Sequence, residues 1–248
     1  LGSTTAIRKR QLEASIGPEA VRRTIEWLSA KVSNQTEFIK DLKKHRSGMA
    51  VFIDDKVAKM ESLAQSIGLQ SEATQIDAIA DTLRGLEGTA GRLYFETLSE
   101  AMPPATKFKG RSSRPAADDF NAFLNYGYGM LYARVEKALM LAGLDPYVGF
   151  LHRDDYNQKS MVFDFIEPYR IHVERVVFRL FSGKMVNQTH TRPLANGVAL
   201  DKPGKELLID RLNQYFEVET IRYKGRNQTR ANAMQMDAHR FANDLIGK

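Results

Sequence analysis

The first residue with a spacing that suggests chemistry is Glu87. Leu83, Ala90 and Tyr94 lie four residues before it and three and seven residues after it, so a helix would place its carboxylate on an apolar face. A charge on such a face is costly unless it meets a ligand or a counter-ion. Arg84, three residues earlier, leaves open the simpler alternative of a local ion pair.

Glycines surround this carboxylate at regular spacing, at Gly85, Gly88 and Gly91. Each glycine in a helix costs about 1 kcal/mol relative to alanine. Three glycines on one helix are explained if another backbone or a ligand must come close to this face.

A second group of polar residues interrupts the apolar run at 161–166. Asp164 and Glu167 are three residues apart, which puts both on one face of a helix, and His152 precedes them. Carboxylate oxygens suit Mg²⁺ and Mn²⁺, and an imidazole shifts the preference towards Mn²⁺. The spacing alone leaves two alternatives open: a structural histidine, and Asp164 as a helix N-cap with Pro168 in the first turn.

The composition narrows the function classes. The chain has 248 residues, 43% of them hydrophobic and 27% charged, a formal net charge of +6 and no cysteine. Disulfides, thiolate zinc sites and cysteine nucleophiles are therefore excluded, and the basic balance favours a polyanionic partner. No apolar run reaches the ~20 residues that a membrane span needs, and no signal peptide opens the chain, so we expect a cytoplasmic protein without a membrane partner. Phosphate-binding glycine loops and serine–histidine–aspartate patterns are also missing.

The elements that would position these residues follow helical spacing almost throughout. We predict helices at about 18–44, 49–67, 73–101, 118–142, 161–181, 205–216 and 228–246. A proline-rich, basic loop at 103–117 separates the third from the fourth, and strand signals are poor. The pattern predicts an all-α fold with one core, in which residues 1–15 are an N-terminal tail or linker and residues 16–248 form the helical domain.

Five sequence motifs, in this order, resemble those of the CRISPR-associated integrases, the catalytic subunits of spacer acquisition. They are Glu87–Ala90 with Tyr94 and Phe95, Asp119–Tyr128, Gly143–His152, Phe163–Arg170 and Val173–Leu180. No single motif is specific, but the ordered set is.

The resemblance implies a catalytic set of Glu87, His152, Glu167 and Asp164, in which the first three bind Mg²⁺ or Mn²⁺ and Asp164 assists. The implied reaction inserts spacer DNA at CRISPR repeats by transesterification from a 3′-hydroxyl. Two alternatives are a structure-specific metal-dependent nuclease that never joins DNA, and a non-catalytic helical scaffold that binds DNA.

The resemblance also implies partners. These are double-stranded DNA, as spacer precursor and as repeat, a second copy of the chain, and a small adaptation protein that bridges dimers. A reverse transcriptase, fused or associated, is a further possibility. The candidate DNA-binding residues are Arg84, Arg111, Arg114, Lys159 and Tyr126. Family members normally carry a β-rich N-terminal domain, which we expect not to be present in this chain.

Overall fold

A computed structural model describes residues 3–113, 115–152 and 158–248. Most of these residues are helical. The α-helices are α1 (Ser3–Ala14), α2 (Pro18–Lys43), α3 (Ala50–Gly68), α4 (Ala80–Glu100), α5 (Asp119–Leu141), α6 (Ser160–Phe165), α7 (Arg170–Ser182), α8 (Lys202–Asn213) and α9 (Arg230–Leu245). The strands are β1 (Thr191–Leu194), β2 (Gly197–Leu200), β3 (Thr220–Tyr223) and β4 (Arg226–Thr229).

The all-α prediction is wrong, because the fold contains two small antiparallel sheets. β1 pairs with β2, and β3 pairs with β4. The second hairpin turns through Lys224 and Gly225, both at positive φ, as a tight two-residue hairpin turn requires. Nothing in the fold supports the further expectation that a β-rich N-terminal domain is not present, and that expectation is dropped.

Helix α2 lies at the centre of the core and packs against α3 and α4. Its Trp27 contacts three phenylalanines from other elements, with ring centroids 5.9 Å from Phe150, 5.7 Å from Phe165 and 5.4 Å from Phe241. This aromatic cluster fixes the segment before His152, helix α6 and helix α9 to one another.

Residues assigned to a tail or linker from the sequence form helix α1. Its Ile7 is buried, and the Gln11 side chain donates to the carbonyls of Asp145 and Val148 at 2.9 and 2.8 Å. The division into a tail and a domain stays a prediction.

The helix predicted at 161–181 is interrupted. A 3₁₀ turn, Glu167–Tyr169, separates α6 from α7. Pro168 lacks the backbone N–H that a continuous α-helix would need here. The turn sets the Glu167 side chain at the start of α7 rather than in the middle of a longer helix.

The basic loop predicted at 103–117 is anchored through Phe108, whose ring stacks on Phe120 at 4.1 Å. Helix α5 then begins after Asp118, whose carboxylate accepts the Asn121 N–H at 2.8 Å as an N-cap. The loop is thereby held against the α4–α5 side of the core.

Among the described residues, none of the helices combines the length and the apolar character that a membrane span requires.

Candidate functional site

The structure brings the three predicted metal ligands to one cavity of about 810 Å³. Glu87 comes from α4, His152 from the loop before α6, and Glu167 from the 3₁₀ turn. No three His, Cys, Asp or Glu side chains of the described residues are close enough together to form a metal-binding group.

A lysine that the sequence did not single out lies between two of these residues. Lys31 of α2 donates to Glu87 and places its Nζ 2.6 Å from Oε2 of Glu167. Burial alone would lower the pKa of Lys31, but the charges of Glu167 and Glu87 outweigh it and raise the pKa. The lysine is therefore a buried cation that joins α2, α4 and the 3₁₀ turn.

The two carboxylate oxygens of Glu167 are in different situations. Oε1 accepts from the Nε of Arg170 at 2.9 Å, whereas Oε2 is buried and lies in an ion pair with the Lys31 ammonium. Burial would raise the pKa of Glu167, but the charges of Arg170 and Lys31 overcome this and lower it to about 2. The two neighbouring cations therefore favour the ionised form of Glu167.

Asp164 organises the loop that carries His152. Its carboxylate accepts the backbone N–H groups of Phe150, Leu151 and His152 at 2.5, 3.1 and 3.3 Å, and it lies 2.6 Å from Nδ1 of His152. Burial opposes protonation of His152, but the hydrogen bond to Asp164 prevails and raises its pKa. Asp164 lies inside α6, whose N-cap is Lys159, so it is not the helix cap that the spacing allowed.

A third carboxylate, Glu174, lies in the wall of the same cavity. Tyr128 donates to it at 2.7 Å, and the Gln35 amide lies 3.4 Å from both of its oxygens. Burial is the largest influence and raises the pKa of Glu174, despite the hydrogen bond from Tyr128. The cavity thus contains one buried carboxylate held by cations and one held by neutral donors.

Two arginines flank the ring of Tyr128. The guanidinium carbon of Arg111 lies 5.3 Å from the ring centroid and that of Arg170 lies 4.9 Å from it. Arg170 is committed to Glu167, whereas Arg111 has no ion pair among the described residues. Arg111 therefore presents a positive charge to the cavity without a carboxylate partner from the described part of the chain.

The glycine face of α4 is open. A methyl group added at Gly85, Gly88 or Gly91 would meet no atom within 4 Å, and both Gly88 and Gly91 line the cavity. No other backbone of the described chain approaches this face. Because these three residues are glycines, there is open space beside Glu87.

The other predicted DNA-binding residues lie outside this cavity or beyond what is described. Arg84 pairs with Asp81 at 3.0 Å rather than with Glu87. Lys159 pairs with Glu136 at 2.6 Å, and Tyr126 is partly buried against the core. Arg114 lies outside the described residues. Of the four described residues in this set, the structure groups only Arg111 with the three predicted metal ligands.

Sequence reasoning missed Lys31, Arg170 and Glu174 as members of the site. Lys31 and Gln35 are polar residues four apart that interrupt the mostly apolar buried face of α2, and both are buried. That interruption was a signal of the same kind as the one noticed at Glu87.

The residues present fit a divalent cation in two respects. The donor set of two carboxylates and one imidazole suits Mg²⁺ or Mn²⁺. Asp164 holds Nδ1 of His152, the usual arrangement behind a metal-binding histidine.

The sequence matches the family model described as CRISPR associated protein Cas1 over residues 1–214. The chain belongs to the Cas1 family. The CRISPR-associated endonuclease Cas1 1 of Archaeoglobus fulgidus is 32% identical to it, over 99% of this chain and 74% of the relative. The resemblance to the CRISPR-associated integrases is thus confirmed at the level of the family.

Solved structures share the Cas1 fold. A Cas6-RT-Cas1–Cas2 complex matches 97% of this chain with a TM-score of 0.82 and 22% identity, and this chain covers 25% of the matched chain. A casposase bound to integration product matches 98% with a TM-score of 0.80 and 22% identity, and 65% of it is covered. At such identities the likeness concerns the fold alone, and this chain spans a quarter to about two thirds of these structures.

Proposed function

We propose that this chain is a metal-dependent DNA integrase and endonuclease that inserts spacer DNA at CRISPR repeats, with Glu87, His152 and Glu167 holding Mg²⁺ or Mn²⁺. The observation that carries the proposal is that these three residues, distant in sequence, line one cavity. Two similar proteins, an endonuclease of Archaeoglobus fulgidus and a casposase bound to integration product, give it further support.

The proposed reaction is a transesterification. The 3′-hydroxyl oxygen of the incoming DNA forms a new bond to a phosphorus atom at the edge of the repeat. The bond from that phosphorus to the 3′-oxygen of the repeat strand breaks. The hydroxyl proton passes to water, and the departing oxygen takes a proton from water. With water in place of the hydroxyl, the same arrangement cleaves DNA.

When bound, a divalent ion would favour the ionised nucleophile and stabilise charge on the phosphate. The chain's own residues prepare the site for this chemistry. Asp164 fixes the tautomer and orientation of the His152 ring by its contact with Nδ1. Arg170 and Lys31 keep Glu167 ionised, and Arg111 offers a guanidinium to a phosphate in the cavity.

The proposal extends to partners. Double-stranded DNA is the substrate, and the basic residues of the 103–117 loop favour it. Assembly as a dimer bridged by a small adaptation protein, with or without a reverse transcriptase, is consistent with the fold that this chain shares with the Cas6-RT-Cas1–Cas2 complex.

The test is joining of a labelled DNA fragment to a plasmid that carries a CRISPR repeat, in Mn²⁺ or Mg²⁺. Glu87→Gln should abolish joining and cleavage, because it removes one of the proposed ligands while DNA binding persists. Glu96→Gln is the matched control: Glu96 lies on the same helix and lines the same cavity, but pairs with Lys56 at 2.9 Å. Cleavage without joining by the wild-type chain, its partner present, would favour the plain nuclease.

One observation favours the scaffold alternative: Glu87 and Glu167 already have a counter-ion in Lys31. In that case the carboxylates serve only to hold α2 to α4 and the 3₁₀ turn. Metal-independent DNA binding, with no joining or cleavage by the wild-type chain, would establish this alternative.

A further inference from the structure

Lys31 is the only described cation that pairs with both Glu87 and Glu167. Its side chain is 10% exposed and reaches the two carboxylates from α2, whereas they belong to α4 and the 3₁₀ turn. A lysine that only anchored α2 would need one partner. This lysine instead lies where the two proposed ligands face each other.

The two oxygens of Glu167 have different neighbours, which determines the groups that a divalent ion bound there would contact. Oε1 is taken by the hydrogen bond from Arg170. Oε2 is buried, and the Lys31 ammonium lies 2.6 Å from it as an ion pair. An ion that used Oε2 would therefore be placed against the ammonium.

The charges of the site also indicate that Lys31 and a divalent ion compete for the same position. Lys31 and Arg170 together balance the negative charges of Glu87 and Glu167. A divalent ion added beside both cations would leave this partly buried group with two uncompensated positive charges close together, which is unfavourable.

We propose that the Lys31 ammonium and the divalent ion exchange at Glu87 and Glu167. Lys31 occupies the metal site of the metal-free protein and leaves it when the ion binds. The inference rests on the proposed function, since it takes these two carboxylates to be metal ligands. It adds a residue to the site and a reason why the metal-free protein keeps its carboxylates in place.

The exchange also links metal to DNA. A displaced ammonium on a flexible four-carbon stem remains at the edge of a cavity that also contains Arg111. A DNA phosphate that enters the cavity gives the ammonium another partner, so that DNA and metal each strengthen the binding of the other, as linkage requires.

The experiment measures Mn²⁺ binding by the electron paramagnetic resonance signal of the free ion, with and without a DNA duplex. Lys31→Met should bind Mn²⁺ at least about fivefold more tightly than the wild type without DNA, because a competing charge is gone. Lys31→Arg keeps the charge and should resemble the wild type. Adding DNA should tighten Mn²⁺ binding in the wild type more than in Lys31→Met.

Lys56→Met is the matched control. Lys56 has the same 10% side-chain exposure and pairs with Glu96, also on α4, but touches neither proposed ligand. Its variant should lose thermal stability without any change in Mn²⁺ affinity. In the Lys31→Met background, Glu87→Gln should remove the tighter binding, which locates the ion.

The variant Lys31→Met leaves the buried Glu167 and the partly exposed Glu87 without their lysine, and it could unfold in the absence of metal. In that event Mn²⁺ should restore its circular dichroism signal, whereas Mn²⁺ should not rescue Lys56→Met. Equal or weaker Mn²⁺ binding by a folded Lys31→Met variant, or failure of Mn²⁺ to restore an unfolded one while the wild type binds the ion, would overturn the exchange. Failure of both the wild type and Lys31→Met to bind Mn²⁺ would overturn the proposed function as well.

Discussion

Glu167 and Glu174 are two buried carboxylates, seven residues apart, in the wall of one cavity. Cations surround Glu167, which is why its pKa falls to about 2. Burial outweighs the neutral donors around Glu174, which is why its pKa rises. The same chemical group at the same depth therefore serves two purposes. Glu167, among cations, is suited to bind a cation, and Glu174 is suited to hold Tyr128 in place.

The strongest way to break this comparison is to neutralise each carboxylate in turn. Glu167→Gln should lower joining and cleavage by about 100-fold or more, because loss of a ligand exceeds the 10- to 100-fold cost of losing a residue that supports one. Glu174→Gln should lower them by no more than about tenfold, since glutamine keeps a hydrogen-bond acceptor for Tyr128. The measurement is initial rate at saturating Mn²⁺.

The control for both variants is DNA affinity, which should stay within a few-fold of the wild type because phosphate contacts dominate it. Equal losses of activity in the two variants would show that the difference in their surroundings has no bearing on catalysis.

The sequence predicted Glu167 as a site residue but did not predict Glu174 or the lysine that pairs with Glu167. Glu87 and Glu167 were found because a carboxylate stood out in an apolar run and a family motif covered it. The pairing of Lys31 with them depends on how α2 packs against α4 and the 3₁₀ turn, and no spacing within α2 encodes that packing. Glu174 resembles any acid within a helix until Tyr128 of α5 is placed beside it.

The fold follows the same rule. Helix α2 runs from Pro18 to Lys43, close to its prediction, because 26 residues give many repeats of the helical spacing. The hairpin strands have four residues each, too few to show alternation. The Lys224–Gly225 turn was a usable signal for the second of them. The break at Pro168 could also have been predicted, since proline disrupts a helix interior.

His172 provides a second comparison, because it is a partly buried ionisable group on the same helix as Glu174 and has no carboxylate partner within the described part of the chain. Its Nδ1 is buried without a hydrogen bond, and burial together with the charges of Arg230 and Arg175 lowers its pKa to about 3. Between pH 6.5 and 3 the unfolded chain therefore binds more protons than the folded chain. The stability that neutral His172 contributes is complete above pH 6.5 and is lost as the pH falls.

The matched variant is His172→Phe, which keeps an aromatic ring between Tyr215 and Phe216. Urea unfolding at pH 7, 6 and 5 should show the wild type losing up to about 2 kcal/mol more than this variant. Parallel loss of stability in the two proteins would assign the acid sensitivity to other groups.

The smallest expected effect concerns the arginines that flank Tyr128. Arg170 is held by Glu167 at 2.9 Å, whereas Arg111 has no carboxylate partner among the described residues. Arg111→Ala should therefore weaken DNA binding by about three- to tenfold at moderate salt and reduce the slope of log affinity against log salt by about 0.9, the loss of one phosphate contact.

Arg22→Ala is the control for this variant, because Arg22 is exposed and already paired with Glu19 at 2.6 Å. It removes the same charge from the whole protein and should leave the slope unchanged. A general effect of net charge would instead change the slope equally in both variants.

Glu174 contacts Arg111 indirectly. It accepts a hydrogen bond from Tyr128, and the Arg111 guanidinium lies over the Tyr128 ring. Glu174→Gln keeps a hydrogen-bond acceptor for Tyr128, so the slope of its log affinity for DNA against log salt should match that of the wild type. A flattened slope in Glu174→Gln would mean that the charge of Glu174, and not only its hydrogen bond, positions Arg111.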